Sequence, residues 1–348
     1  MLVKIVIVIV VLLIAYVLYM LVNMGVFRKI ENRFDGVIVK VVELPGVEDI
    51  TVSDEDKFAL ISSTDRLEFP PTVNEVGSMY FMELSSGDFN IKELKTSIQG
   101  PFAPHGISLA KIDDGYRVLV VNGKMGEHAI EKFTLKDETL IYEETLSDPW
   151  MISPNDVLSI DDTRFYFTND HKYTVGWRRT MEEYFALAIS GVVYFDGKTY
   201  RQVANDIAFA NGINIDRRRN LIYVAASRDF LVKVYSPNED GSLNFIENID
   251  VGTGVDNIEV GPDGVLWLGG HPNLLKLASY EKNKSKTAPS ELVRVIYRGK
   301  GDYDVKSVFM DDGNNMSAST VAAPYGNFLF AGNLMDKKFL ILKRAVND

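Results

Sequence analysis

Six polar dipeptides recur along the chain: Glu48-Asp49, His105-Gly106, Asn155-Asp156, Asn211-Gly212, Asp256-Asn257 and Ser319-Thr320. Each is followed at once by Ile or Val. Together they carry four carboxylates, three amides and one imidazole. If folding gathers them, the carboxylates repel one another and a cation relieves the repulsion. The donors are hard oxygens, and calcium takes six to eight such ligands in irregular geometry. With no cysteine in the chain and one histidine in the set, zinc and copper match less well. Taken singly, Asn and Asp at strand starts cap turns and bond neighbouring backbone amides; it is the alignment of seven that points to a metal. Counting does not give the number of ions. Neighbours in a strand face opposite ways, so pairs such as Glu48-Asp49 and Asn155-Asp156 allow two ions at different depths.

His105 stands inside this set and is a candidate general base near neutral pH. His171 and His271 end apolar runs, and each reads either as support for the polar ring or as a packed strand-end residue. His128, in a charged stretch after Gly126, reads as a solvated loop residue. No Gly-x-Ser-x-Gly elbow occurs, and Ser319 and Thr320 have no evident base, which disfavours a serine triad. The run from Gly123 to Gly126 lacks the spacing of a phosphate loop. The absence of cysteine excludes disulfides, thiolate sites and a cysteine nucleophile. A formal net charge of −11 argues against a nucleic-acid partner.

The elements that must position these residues are strands. Near-continuous apolar runs begin at Phe58, Tyr116, Arg164, Asn220, Gly264 and Asn327, each shortly after one dipeptide. Such runs suit strands buried on both faces. Recurrence at a long and roughly even spacing is the mark of a repeat architecture, and six copies predict a six-bladed β-propeller whose innermost strands carry the dipeptides to one end of the tunnel. The stretch Val37–Val42 is expected to lend an outer strand to the last blade and close the ring; the competing fold is an open sandwich. Before this all-β part, Ile5–Phe27 carries no charge and, as a helix, reaches about 34 Å, enough to cross a bilayer. It reads as a retained transmembrane signal-anchor rather than a cleaved signal peptide, since no small-x-small site follows. The expected organisation is an anchor over 1–34 and a propeller over 35–348. Lys4 before the span and Arg28, Lys29 and Arg33 after it leave orientation open on charge alone. Asn283 and Asn315 each begin an N-glycosylation pattern.

Pro104-His105-Gly106-Ile107-Ser108, Val118–Asn122, Asn155-Asp156-Val157, Thr168–His171, Phe209–Asn214, Val255–Ile258, His271-Pro272-Asn273 and Ser319–Ala322 together resemble the paraoxonase/arylesterase family, in order and over nearly the whole globular part. The gluconolactonase-like and strictosidine-synthase-like propellers match these motifs less well. The resemblance implies a propeller with two calcium ions in its tunnel. It implies a catalytic calcium held by Glu48, Asn155, Asn211, Asp256 and Asn257, and a structural calcium held by Asp49, Asp156 and the backbone carbonyl of Ile107. It assigns His105 as general base and Asp170 as an acidic residue beside the active site. It further implies hydrolysis of lactones and aryl esters, association with lipid through the N-terminus, and a propeller outside the cytoplasm, where millimolar calcium fills weak oxygen sites. The chain departs from the family where a second histidine is expected, at Gly123, and where cysteines are expected, among them at Gly270. Ring closure would then rest on strand pairing alone.

The expected activity is calcium-dependent hydrolysis of lactones and aryl esters, with a metal-polarised carbonyl attacked by water and His105 taking the proton. The rim segment Trp177–Phe185 is expected to set substrate choice or to pack as an amphipathic helix on the top face or the membrane. The alternatives are a calcium-stabilised scaffold without catalysis and a bond-forming synthase, the latter requiring an acidic catalytic residue in place of the metal ring.

Overall fold

The computed structural model describes residues 1–66, 77–124 and 127–345. The strands form six antiparallel sheets that make a six-bladed β-propeller. The innermost strands are Val47–Ser53, Pro104–Ile112, Pro154–Ser159, Ala210–Asp216, Gly254–Val260 and Ser319–Tyr325, and each holds one of the dipeptides. The apolar runs form the second strand of each blade. Every residue of Phe58–Thr64 and of Phe165–Asn169 is buried, because neighbouring blades cover both faces. The core lies between blades: Val47, Ile50 and Ile61 of blade 1 pack with Val321, Phe330 and Ile341 of blade 6.

Two features position the dipeptides. In all six inner strands the ladder shifts register at the dipeptide, between residues 47 and 49, 104 and 107, 154 and 157, 210 and 213, 255 and 258, and 319 and 322. A bulge releases residues from pairing and re-aims their side chains, here away from the blade and into the tunnel. The inner strands also approach one another closely around the ring. A Cβ on Gly106 would lie 2.5 Å from Asp156 Oδ1 and one on Gly212 would lie 2.6 Å from the Asp256 carbonyl oxygen, so only glycine fits at those two crossings.

The ring closes as the sequence predicts. Gly36–Glu43 pairs antiparallel with Lys338–Arg344 as the outer strand of blade 6. Arg33–Phe34 also adds a short outermost strand to blade 5. Three helices occur among the described residues: α1 (Leu2–Asn23), α2 (Gly176–Phe185) and α3 (Leu274–Lys282). α1 is long and apolar enough to cross a membrane and none of its residues is buried. Its far end is fastened to blade 5: the Leu274 amide donates to the Met24 carbonyl at 3.0 Å, and Arg28 forks onto both oxygens of Glu291 at 2.6 Å. α2 occupies the expected rim segment. α3 is absent from the strand-based reading, although Asn273, whose side chain accepts from the Lys276 amide, is an N-cap of the ordinary kind.

Candidate active site

Two of the dipeptides divide their members between two cavities, with Asn155 and Asp256 in one and Asp156 and Asn257 in the other. One, of about 240 Å³, is lined by His105, Asn155, Asn211 and Asp256 with Asp170 and His271, under α2 and α3. The other, of about 300 Å³, opens toward the opposite end of the tunnel and is lined by Asp49, Ile107, Asp156, Asn257 and Glu259. The alternation of a pleated strand thus becomes two polar depths along one axis.

At the upper level Glu48 is fully buried. Its Oε1 accepts from Asn257 Nδ2 at 3.0 Å, and Thr320 Oγ1 donates to its carbonyl oxygen at 2.6 Å. Glu48 Oε2 lies 2.7 Å from His105 Nδ1. Burial pushes the Glu48 carboxyl up, but the His105 charge beside it and Arg66 hold it below the ordinary carboxylate range. Asn155 Oδ1, Asn211 Oδ1 and Asn257 Oδ1 are likewise buried and have no hydrogen-bond partner. A bare buried oxygen costs about 1–3 kcal/mol, so a ring of them calls for an electrophile. Among the described residues no three His, Asp or Glu side chains form a cation cage by themselves. A cation here draws on amide oxygens, which suits a hard ion. Asp256 is turned partly away: its Oδ2 meets His271 Nε2 at 2.9 Å, which makes His271 a support for that carboxylate.

At the lower level Asp49 accepts from the Ile50 and Ile107 amides at 2.8 and 2.9 Å, and Asp156 from the Val157 and Ile213 amides, both at 2.7 Å. Each carboxylate therefore stitches its own inner strand to that of the next blade. Ile107 meets Asp49 through its N–H. Burial pushes Asp49, Asp156 and Glu259 well above the ordinary range, each raised further by its acidic neighbours. Glu259 escaped the sequence reading because it sits outside the aligned dipeptides; its spacing of two from Asn257 in one strand is the available signal.

Beside the upper cavity, His171 is buried between two carboxylates. Nδ1 lies 2.6 Å from Asp170 Oδ1 and Nε2 lies 2.8 Å from Glu183 Oε2 on α2. Burial alone would lower its pKa, but the two hydrogen-bonded carboxylates raise it to about 9. Asp170, which also accepts from Ser153 Oγ at 2.5 Å, is held below the ordinary range despite its burial. His171 thus pins the rim helix to the blade. Glu183 and Glu281 are further acids at the cavity that the strand repeat could not point to, and burial raises Glu281. The reading of His128 as a solvated loop residue is overturned: it lies in the strand Glu127–Lys136, half-buried, with Nδ1 covered and unpartnered. Hairpin register places it opposite Gly123, a pairing that the charged composition of the stretch does not reveal. Gly126 lies outside the described residues.

Comparison with known proteins follows the same lines. The family model "Arylesterase" matches residues 33–341. The chain is 32% identical to human serum paraoxonase/arylesterase 1, over 86% of this chain and 89% of that one. It is 30% identical to serum paraoxonase/arylesterase 2 of Gallus gallus, over 86% of each. Among solved structures it resembles a luciferin-regenerating enzyme (TM-score 0.55, 11% identity, 91% of this chain and 96% of that one). It also resembles a gluconolactonase of Xanthomonas campestris (TM-score 0.54, 12% identity, 91% and 95%). At those identities the two structures speak for the propeller fold alone.

Proposed function

The chain belongs to the arylesterase family and is a carboxylic-ester hydrolase, and from that premise we propose that it hydrolyses lactones and aryl esters with calcium, using the polar ring at the upper cavity. The observation that carries this reading is the set of three buried amide oxygens without partners, on Asn155, Asn211 and Asn257, beside the buried Glu48 carboxylate. With Asp256 they would hold a catalytic calcium. Asp49, Asp156 and the Ile107 carbonyl would hold a second, structural one. Bound calcium supplies a Lewis acid that polarises the substrate carbonyl and stabilises the oxyanion.

The chain's own residues do the rest. His105, 23% exposed at its side chain and facing the cavity, takes the proton from the attacking water. Glu48, beside His105 Nδ1, fixes the ring's orientation and offsets the charge that the ring gains. His271 keeps Asp256 turned in its place. Phe209, Leu274 and Leu277 give the cavity an apolar wall for the substrate's hydrocarbon part and exclude water. Asp170 and His171 hold α2 over the opening. A cavity of about 240 Å³ admits a small lactone or a single aryl ring with its ester group.

We further propose that residues 1–34 anchor the protein as a single-pass signal-anchor and that residues 35–348 are the catalytic domain, on the extracytoplasmic side. Support comes from α1 leaving the propeller beside Leu274, at the cavity end, and from exposed Trp177 and Tyr184 on α2 at that end. Phe185 of α2 stacks on Tyr16 of α1 at 5.8 Å. The direct test is an assay of the full chain in detergent micelles against a panel of lactones and aryl esters, beside His105→Gln. Turnover by the parent and loss of about 100-fold in the variant are expected. Absence of turnover on every member of the panel overturns the assignment, and an undiminished His105→Gln removes the base from it.

A further inference from the structure

α3 meets the end of α1, and it brings charges unlike those of the rest of the molecule. The Leu274 amide, at the start of α3, donates to the Met24 carbonyl. Ile5 to Met24 carries no charge, and these residues as a helix reach about 30 Å, the depth of a bilayer's hydrocarbon. With that stretch in the membrane, α3 begins at the boundary between hydrocarbon and headgroups. Lys276 and Lys282 stand on α3, and Lys284 and Lys286 follow in the loop after it. Lys337 and Lys338 come from the turn after Phe328–Asn333. With Lys284 and Lys286 they surround an open pocket of about 460 Å³. Tyr280, Leu277, Leu334 and Met335 belong to one apolar cluster. Tyr280 lines this pocket, while Leu277 and Leu334 line the upper cavity. Pocket and cavity therefore share one end of the propeller.

Five of the six lysines are exposed, and Lys338 is half-buried. None of them forms an ion pair among the described residues; Lys286 donates to Ser279 Oγ at 2.5 Å. Elsewhere Lys92, Lys111 and Lys136 meet Glu138, Glu55 and Asp114. The acids near the lysines are engaged with other groups. Glu281 lines the upper cavity. Asp336, at the pocket itself, accepts from the Ser317 and Lys337 amides at 3.1 and 3.0 Å. Asp311 accepts from the Gly313 amide at 2.8 Å, and Asp312 from the Asn314 amide at 3.2 Å. A chain of formal net charge −11 thus presents unpaired cations at the end from which its apolar helix leaves.

We propose that this lysine rim docks on anionic phospholipid headgroups, with Lys284, Lys286, Lys337 and Lys338 gathered around their phosphates. The proposal rests on the reading of α1 as a membrane anchor and not on the hydrolase reading. Charge complementarity carries it. The rim begins where the anchor leaves the hydrocarbon, and charges within about 8 Å of an anionic surface escape most screening at physiological salt. Each lysine there strengthens the contact about fivefold. Because α1 already holds the chain in the bilayer, the lysines set the posture of the propeller rather than its partition. Tethering makes the second contact intramolecular, so individually weak lysine contacts suffice. The docked posture holds the mouth of the upper cavity against the lipid surface.

Energy transfer on the full chain in lipid nanodiscs tests this without any measurement of turnover. The chain has no cysteine, so Ser285→Cys, between Lys284 and Lys286, takes a single fluorescent donor. The discs are phosphatidylcholine alone or an equal mixture with phosphatidylglycerol, each with a headgroup-linked acceptor. Transfer should be higher in the anionic discs and fall to the neutral value in 1 M salt, where screening acts within about 3 Å. Lys337→Gln/Lys338→Gln should weaken the docked state about 25-fold, at about fivefold per lysine. Lys57→Gln/Lys198→Gln, in turns at the opposite end of the blades, should leave it unchanged. Equal transfer in the two discs, or equal loss in the two double variants, overturns the docking. Inorganic phosphate that releases the rim more effectively than chloride of equal ionic strength assigns the pocket to a soluble anion and overturns it as well. A chain that an alkaline wash strips from the discs refutes the anchor reading and the docking with it; a retained chain whose transfer ignores headgroup charge refutes the docking alone.

Discussion

Replacing Asn211 by leucine should lower the protein's stability in calcium and change it little without. The side chain is 4% exposed and its Oδ1 has no hydrogen-bond partner. In chelator that oxygen is a cost of about 1–3 kcal/mol. Leucine keeps the branched shape and carries no polar atom but is bulkier, and overpacking a buried site costs about 1–3 kcal/mol. The relieved oxygen offsets that cost, so Asn211→Leu is expected to stay close to the parent's stability in chelator. With calcium at about 100 times its Kd, the ion stabilises the parent by about 2.7 kcal/mol. Loss of one neutral ligand, taken as about tenfold in affinity, cuts that increment to about 1.4 kcal/mol. The assay is thermal unfolding of the full chain in detergent, in chelator and in millimolar calcium, where each kcal/mol moves the midpoint by roughly 2 °C. The calcium-induced rise should halve while the chelator midpoint moves little. A variant that loses the same amount of stability in both conditions refutes the reasoning, since Asn211 would then be an ordinary structural amide.

Two other perturbations follow from the ion pairs. His171 is raised from 6.5 to about 9 by Asp170 and Glu183. A group whose folded pKa lies above its unfolded one stabilises fully below the unfolded value, so this contribution, about 2–3 kcal/mol, should be lost as pH rises from about 6.5 through 9. Unfolding midpoints of the parent should fall across that window, and those of His171→Gln should fall less; equal slopes would contradict the clamp. Arg28→Ala should strand Glu291, whose side chain is 1% exposed, and destabilise the protein by about 2–4 kcal/mol, somewhat below a fully buried pair because Arg28 keeps 27% exposure. Denaturant unfolding of the double variant Arg28→Ala/Glu291→Gln should recover part of that loss, and a double variant as unstable as the sum of both singles would count against a stranded charge.

The blades and the ring of dipeptides were legible because a repeat writes the same physics six times. Each apolar second strand is buried on both faces, and each dipeptide falls where its inner strand bulges. Even the closure by Gly36–Glu43 follows from a β-branched run with no partner of its own in sequence. What lay outside the repeat was not legible. Glu183 and Glu281 reach the cavity from helices inserted between strands, and their approach is set by tertiary packing rather than by period. Glu259 faces the lower cavity three positions after Asp256, where the alignment of dipeptides has already ended. His128 was misread because hairpin register, not sequence distance, brings it opposite Gly123. Ile107 also donates its amide to Asp49, a contact that the bulge geometry decides.

The central claim is that ester hydrolysis depends on calcium held by the buried oxygens of the tunnel. It is tested most directly by stripping the full chain with chelator in detergent and measuring lactone hydrolysis as free calcium is restored, with magnesium as control. The account predicts negligible turnover in chelator, recovery that saturates with calcium, little recovery with magnesium, and a right-shifted calcium curve for Asn211→Leu. Turnover that persists in chelator, or a calcium curve that Asn211→Leu leaves in place, would contradict it.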